Sequence, residues 1–207
     1  MIAGKKDFLK LLDLEQADIL EILELAMRLK KGEPNRALAG KSVGLIFEKS
    51  STRTRVSFEV GVHQLGGYPL FLASAHSQLG RGEPIEDTAR VLSRYLNGIM
   101  IRTFGHDRVE KLAKYASVPV INGLTDLAHP CQVLADLQTV LEHKGKLEGL
   151  KMAYIGDGNN MANSLIVGGL KVGMTVACAS PIGYEPDAGV RAYAEGTGRF
   201  TLTTDVK

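Results

Sequence analysis

Cysteine is scarce in this chain. Its two cysteines, Cys131 and Cys178, are too few for a disulfide framework or a cysteine-based zinc cluster, so a reducing, cytoplasmic setting is expected. No apolar run is long enough to cross a bilayer, and no membrane role is expected. Neither sign of charge is in excess. With 25 basic and 23 acidic residues the formal charge is +2, which does not suggest a nucleic-acid or membrane surface. Internal repeats and low-complexity tracts are also lacking. The opening Met1–Asp7 is expected to lead into an amphipathic helix with acidic residues, not to form a signal peptide.

What is present is core-forming material: 44% of 207 residues are hydrophobic, enough for one large domain or two small ones. Ile19, Ile22, Leu23, Ala26, Met27 and Leu29 recur at helical spacing, and Gly32 and Pro34 end that helix. Short apolar runs then alternate with helical patterns. Strands are expected at 43–47, 68–72, 98–102, 118–121, 152–155 and 174–179. Helices are expected at 54–65, 84–96, 107–116, 130–143 and 161–171, with a weak one near 187–195. No structure is expected after it. Repeated βα units imply an α/β fold of doubly wound parallel sheets with helices on both faces. The pattern restarts at strand 152–155, after a charged, glycine-containing stretch. The expected division is therefore 1–130, a linking helix and connection at 131–149, and 150–207.

Ligands of such sheets sit beyond the carboxyl ends of the strands. Polar clusters fall there. After Phe47 comes Glu48-Lys49-Ser50-Ser51-Thr52-Arg53-Thr54-Arg55, then a helix. A helix N-terminus offers unpaired N–H groups and a positive dipole end. Ser51, Thr52 and Thr54 add hydroxyls, and Arg53 and Arg55 add planar forks suited to phosphate. Gln78 lies in the polar loop Ser77–Glu83, whose plain reading is a solvated loop. Arg102 ends an apolar strand and is either a surface arginine or a group at the ligand edge. His129 stands just before Pro130-Cys131-Gln132 at a helix start. Cys131 lacks triad-like spacing and reads as a packed thiol rather than a nucleophile. Gly156 and Gly158 resemble the start of a dinucleotide fingerprint, but Met161 takes the third position and strand 174–179 ends in Ser180, where a ribose-binding acid would be expected. Asn163 on the helix that follows is a candidate for binding a zwitterion, or a helix-start amide.

Five ordered motifs carry a family resemblance. Phe47-Glu48, Ser51–Arg55 and Ser57-Phe58-Glu59 resemble the carbamoyl-phosphate loop of the transcarbamylases. His129-Pro130-Cys131-Gln132 resembles the ornithine branch, where the aspartate branch usually has threonine for the cysteine. Ser77–Glu83 has no lysine, unlike the aspartate enzymes, and Met100–Thr103 and Gly156–Ser164 also look like the ornithine branch. The resemblance runs from about Phe8 to the end.

It implies transfer of a carbamoyl group from carbamoyl phosphate to the side-chain amine of L-ornithine, giving citrulline and phosphate in arginine synthesis or breakdown. Ser51, Thr52, Arg53 and Thr54 would hold the phosphate. Thr54, Arg102 and His129 would polarise the carbamoyl carbonyl, with Pro130 and Cys131 in the same segment, and Gln132 would bind the carbamoyl amino group. Gln78 would reach a neighbouring subunit's site in a homotrimer, and Asn163 would bind ornithine. Residues 1–130 would be the carbamoyl-phosphate domain and 150–207 part of the ornithine domain. No metal, cofactor, nucleic acid or membrane partner is implied. The family is longer, so the second domain is expected to be incomplete and the chain a fragment whose own activity is in question. Alternatives are a sister enzyme acting on another amine such as putrescine, an anion-binding module without catalysis, and a nucleotide-binding domain.

Overall fold

The computed structural model describes residues 7–73 and 78–206. Met1–Lys6 of the expected leader into the first helix, and Ser77 of the polar loop, lie outside the described residues. The chain divides into two compact units. One comprises residues 1–9 and 29–126, and the other residues 10–28 and 127–207.

The first unit is a four-stranded parallel sheet in the order β2-β1-β3-β4, formed by Tyr68–Ala73, Ser42–Phe47, Gly98–Arg102 and Val120–Leu124. Its strands alternate in what they bury. Ile46, Ile99, Ile101 and Val120 pack with Ile85 and Ala89 of α3 (Ile85–Leu92) and with Val109 and Leu112 of α4 (His106–Tyr115). Val43, Leu45, Phe47 and Met100 pack with Val62 of α2 (Thr52–Gln64). The period of two thus places helices on both faces of this sheet.

The second unit pairs β5 (Lys151–Ile155), β6 (Thr175–Ala179) and β7 (Phe200–Thr203), all parallel and in that order. Its helices are α1 (Gln16–Lys30, whose last two residues fall in the first unit), α5 (Pro130–Lys144), α6 (Asn160–Lys171) and α7 (Ala188–Gly196). Within α6, Gly168 lies against Val133, Leu137 and Leu11, while its neighbour Gly169 lies against Met152 and Val176. Two adjacent glycines thus let α6 approach α5 on one side and the sheet on the other.

Two local expectations are corrected. The fourth strand is Val120–Leu124 rather than 118–121, because the donors of the fully buried Asn122 find partners inside the unit. Its side chain donates to the Leu9 carbonyl (2.9 Å) and its N–H to the Phe8 carbonyl (2.8 Å). Phe8 forms a parallel bridge with Ile121. The end of the chain is also structured, since Phe200–Thr203 extends the second sheet as β7.

Candidate active site

The first unit places the candidate anion-binding residues around α2. Ser51 has an extended backbone and caps the helix, its Oγ accepting the Thr54 N–H at 3.2 Å. That bond satisfies one donor of the first turn and leaves others for a ligand. Thr52 and Arg53 are exposed on the same turn. Across from them, a register shift between Ile101 and Arg102 marks a bulge in the β3–β4 ladder, a device that re-aims a side chain. Arg102 Nη1 donates to Thr54 Oγ1 at 3.4 Å, while its buried Nε has no hydrogen-bond partner among the described residues. Burial first, and then the Arg53 guanidinium, lower the Arg102 pKa from its ordinary value. Two guanidiniums close enough to disfavour each other, one with an idle buried donor, form a site that gains from binding an anion.

The surrounding charges are already paired. Glu48 lines the same cleft but does not repel an anion at full strength. Arg108 Nε donates to both its oxygens (3.0 and 2.9 Å), Arg108 Nη2 lies 2.8 Å from Oε1, and the Thr103 hydroxyl donates to it as well. Lys49 pairs with Asp126 and sits 4.5 Å from the Phe104 ring centre. Arg55 lies 3.6 Å over the Phe71 ring and donates to Glu59 at 3.0 Å, so its fork is held there rather than at the Ser51 cap. Phe47, Ser51, Thr52, Arg55, Phe71 and Gly80 line an open cleft of about 690 Å³. Gln78 is exposed and begins the short turn Gln78–Arg81 that contains Gly80.

The second unit holds the other candidates. His129 precedes α5, its N–H donating to Ser164 Oγ at 2.8 Å, and Pro130 occupies the first turn. The Cys131 thiol is pushed up to about 12 by burial, against a weaker opposing backbone hydrogen bond, so it stays protonated near neutrality and is no nucleophile. Gln132 is exposed and donates from Nε2 to Asp136 Oδ1 at 2.9 Å. Asn163 lies near the start of α6. It is 5% exposed, its Nδ2 donates to the Leu127 carbonyl (3.0 Å), and its Oδ1 accepts the Asp187 N–H (3.0 Å). The amide braces the Leu127 and Asp187 backbones and also lines a cavity with Leu127, Ser164 and Asp187.

The glycine turn after β5 also has a structural cause. A Cβ at Gly158 would overlap the Glu185–Pro186 peptide, and the Gly158 N–H donates to the Tyr184 carbonyl at 2.7 Å. The chain's own loop fills the space where a pyrophosphate would approach, which removes the dinucleotide reading. The cap of α6 is Asn159, accepting from Met161 and Ala162 N–H at 2.9 and 3.2 Å.

Residues 6–142 match the family described as aspartate/ornithine carbamoyltransferase, carbamoyl-P binding domain, and residues 148–207 match its Asp/Orn binding domain. The chain belongs to the aspartate/ornithine carbamoyltransferase family. It is 62% identical over 186 residues to the ornithine carbamoyltransferase of Geobacter metallireducens, covering 89% of this chain and 61% of that protein. It is 60% identical over 194 residues to that of Carboxydothermus hydrogenoformans, covering 92% and 62%. The ornithine carbamoyltransferase structure from Pyrococcus furiosus superposes with a TM-score of 0.92 at 50% identity, covering 99% of this chain and 68% of that one. The chain thus spans 61–62% of the length of these two curated relatives. In this family the Ser51-capped turn lies in the carbamoyl-P domain, as the motif implied.

Sequence reasoning missed the Glu48–Arg108 pair and the Gln132–Asp136 contact. The second was legible, because residues four apart on a helix are neighbours. The first joins residues 60 apart and carried no local signal.

Proposed function

We propose that this chain carries the carbamoyl-phosphate side of a carbamoyl transfer to the side-chain amine of L-ornithine, giving L-citrulline and phosphate. The observation that carries the reading is the Ser51-capped helix start facing Arg102, a guanidinium tied to Thr54 and with an idle buried donor. Ser51, Thr52, Arg53 and Thr54 are assigned to the phosphate. Thr54, Arg102 and His129 are assigned to the carbonyl oxygen, and Gln132 to the carbamoyl amino group, with Pro130 and Cys131 shaping that segment. The names of the relatives support ornithine as the acceptor. Residues 1–130 are assigned to carbamoyl phosphate and 150–207 to part of the amino-acid side, joined by 131–149. Asn163 is assigned to ornithine, with its backbone contacts holding the amide in place.

The chemistry needs no protein nucleophile. The neutral amine attacks the carbonyl carbon, a C–N bond forms, and the C–O bond to phosphate breaks. The leaving phosphate takes the amine's proton. Negative charge develops first on the carbonyl oxygen and then on phosphate, and fixed cationic and N–H donors at both places lower the barrier. One such donor is worth roughly 3–4 kcal/mol. Holding the reactants in line supplies further rate.

We also assign the protein to a cytoplasmic homotrimer serving arginine metabolism, with Gln78 reaching a neighbouring subunit's site. The exposed Val56 and Val60, one turn apart on α2, and the exposed Gln78 support an interface on this unit. The deciding experiment is calorimetric titration of the chain with carbamoyl phosphate. Arg53→Ala should weaken binding by about 2 kcal/mol, because a charge-assisted contact is lost. Unchanged affinity removes Arg53 from the phosphate site, and no binding by the folded wild-type chain sinks the proposal.

A further inference from the structure

We infer that Asp136 is a positioning residue that sets which end of the Gln132 amide meets the ligand, and thereby selects a carbamoyl over an acyl phosphate. The inference rests on the assignment of Gln132 to the carbamoyl amino group. A glutamine amide presents an acceptor oxygen on one side and two N–H donors on the other. A carbamoyl NH2 offers only donors to a neighbour, so the Oε1 end must face it. The two ends have the same shape, and an exposed glutamine flips between them at little cost.

Asp136 breaks that symmetry. Its Oδ1 accepts from Gln132 Nε2 at 2.9 Å across one helical turn. An ionised carboxylate only accepts, so it pairs with the NH2 end and is repelled by the Oε1 end. Gln132 Oε1 is left turned away from Asp136 as the acceptor for the ligand. With Asp136 removed, half or more of the amides would present NH2 to NH2, a donor facing a donor.

The same helix contains its own control. Gln138 Nε2 donates to Glu142 Oε1 at 3.0 Å, the same contact at the same spacing and away from the site residues. Such pairs generally give a helix a little stability. If stabilising α5 were all Asp136 does, the two acids would be interchangeable in effect.

Carbamoyl phosphate and acetyl phosphate differ only by NH2 against CH3, so their affinity ratio reads the amide's orientation directly. The titration compares both ligands on the wild type, Asp136→Ala, Asp136→Asn and Glu142→Ala. Asp136→Ala should weaken carbamoyl phosphate at least about twofold, by the share of amides turned the wrong way, and leave acetyl phosphate unchanged. Asp136→Asn, which can donate as well as accept, should fall between Asp136→Ala and the wild type. Glu142→Ala should leave the ratio unchanged. Equal loss for both ligands in Asp136→Ala, an unchanged ratio, or a matching change in Glu142→Ala would overturn the inference while the phosphate site stands. Failure of the wild type to bind either ligand would overturn the site assignment, and this inference with it.

Discussion

In the first unit a parallel sheet is covered on both faces; in the second, among the described residues, much of one face of the sheet is exposed. Ala153, Ala177 and Thr201 are exposed along alternate positions of β5, β6 and β7, and Ile155 is 67% exposed. The opposite positions, Val176 and Cys178, are fully buried. Parallel sheets occur with both faces covered, so the exposed face is a place where apolar surface meets water. The units also differ in how their polar residues are used. Around Ser51 and Arg102, donors are left idle and like charges stand close, at a cost that a bound anion relieves. Around Asn163, Asn159 and Asp187, the polar groups are spent on caps and backbone braces. The candidate anion cluster carries unsatisfied donors, whereas the caps and braces are satisfied.

The sharpest test of the first contrast compares two isoleucines. Ile101→Ala, at 0% exposure between strand and helices, should cost about 2–5 kcal/mol of stability. Ile155→Ala on the exposed face should change stability by no more than about 0.5 kcal/mol. Urea denaturation of the two variants reads both, and equal losses would mean the second face is covered in solution.

The contrast between spent and idle polar groups is tested at Asn163. Asn163→Ala removes the partners of the part-buried Leu127 carbonyl and of the Asp187 N–H and should destabilise the chain by about 1 kcal/mol. Carbamoyl phosphate affinity should be unchanged in the fraction that remains folded. A stable variant would end the bracing role.

The smallest effect is expected at Cys131. Its thiol pKa is pushed up to about 12 from an ordinary 9.0, so the folded state holds this proton more tightly than the unfolded state. Its contribution to stability is complete below pH 9.0 and is lost as pH rises from there toward about 12. Alkylation at about pH 8 should therefore be much slower in the folded chain than in urea. Equal rates would show an accessible thiolate and reopen a chemical role for Cys131.

Much of this was legible along the chain. Val43–Phe47, the hydroxyl and arginine turn behind it and the helix beyond differ so strongly in period and polarity that β1, the Ser51 cap and α2 follow from local pattern alone. The fourth strand was not legible to its end. Asn122 and Gly123 break the apolar run, and only the Phe8–Leu9 segment, remote in sequence, makes a buried asparagine acceptable there. β7 was missed because Thr201-Leu202-Thr203 is short and half polar, a pattern that pairs as a strand only once β6 is beside it. The glycine turn at 156–158 carried the wrong local message, since the backbone that needs Gly158 to be small arrives from Glu185.

The sequence by itself determined the alternation of strands and helices, the carboxyl-edge placement of Ser51–Arg55, Gln78 and Arg102, and the family, because each depends on residues near one another in the chain. The tertiary structure alone decided that Arg55 turns to Phe71 while Arg102 turns to Thr54, that Arg108 pairs with Glu48, and that Asn163 contacts the Leu127 and Asp187 backbones. Those outcomes depend on which hydrogen-bond and charge partners arrive from distant segments, and a side chain with several possible partners takes its role from the ones that folding brings within reach.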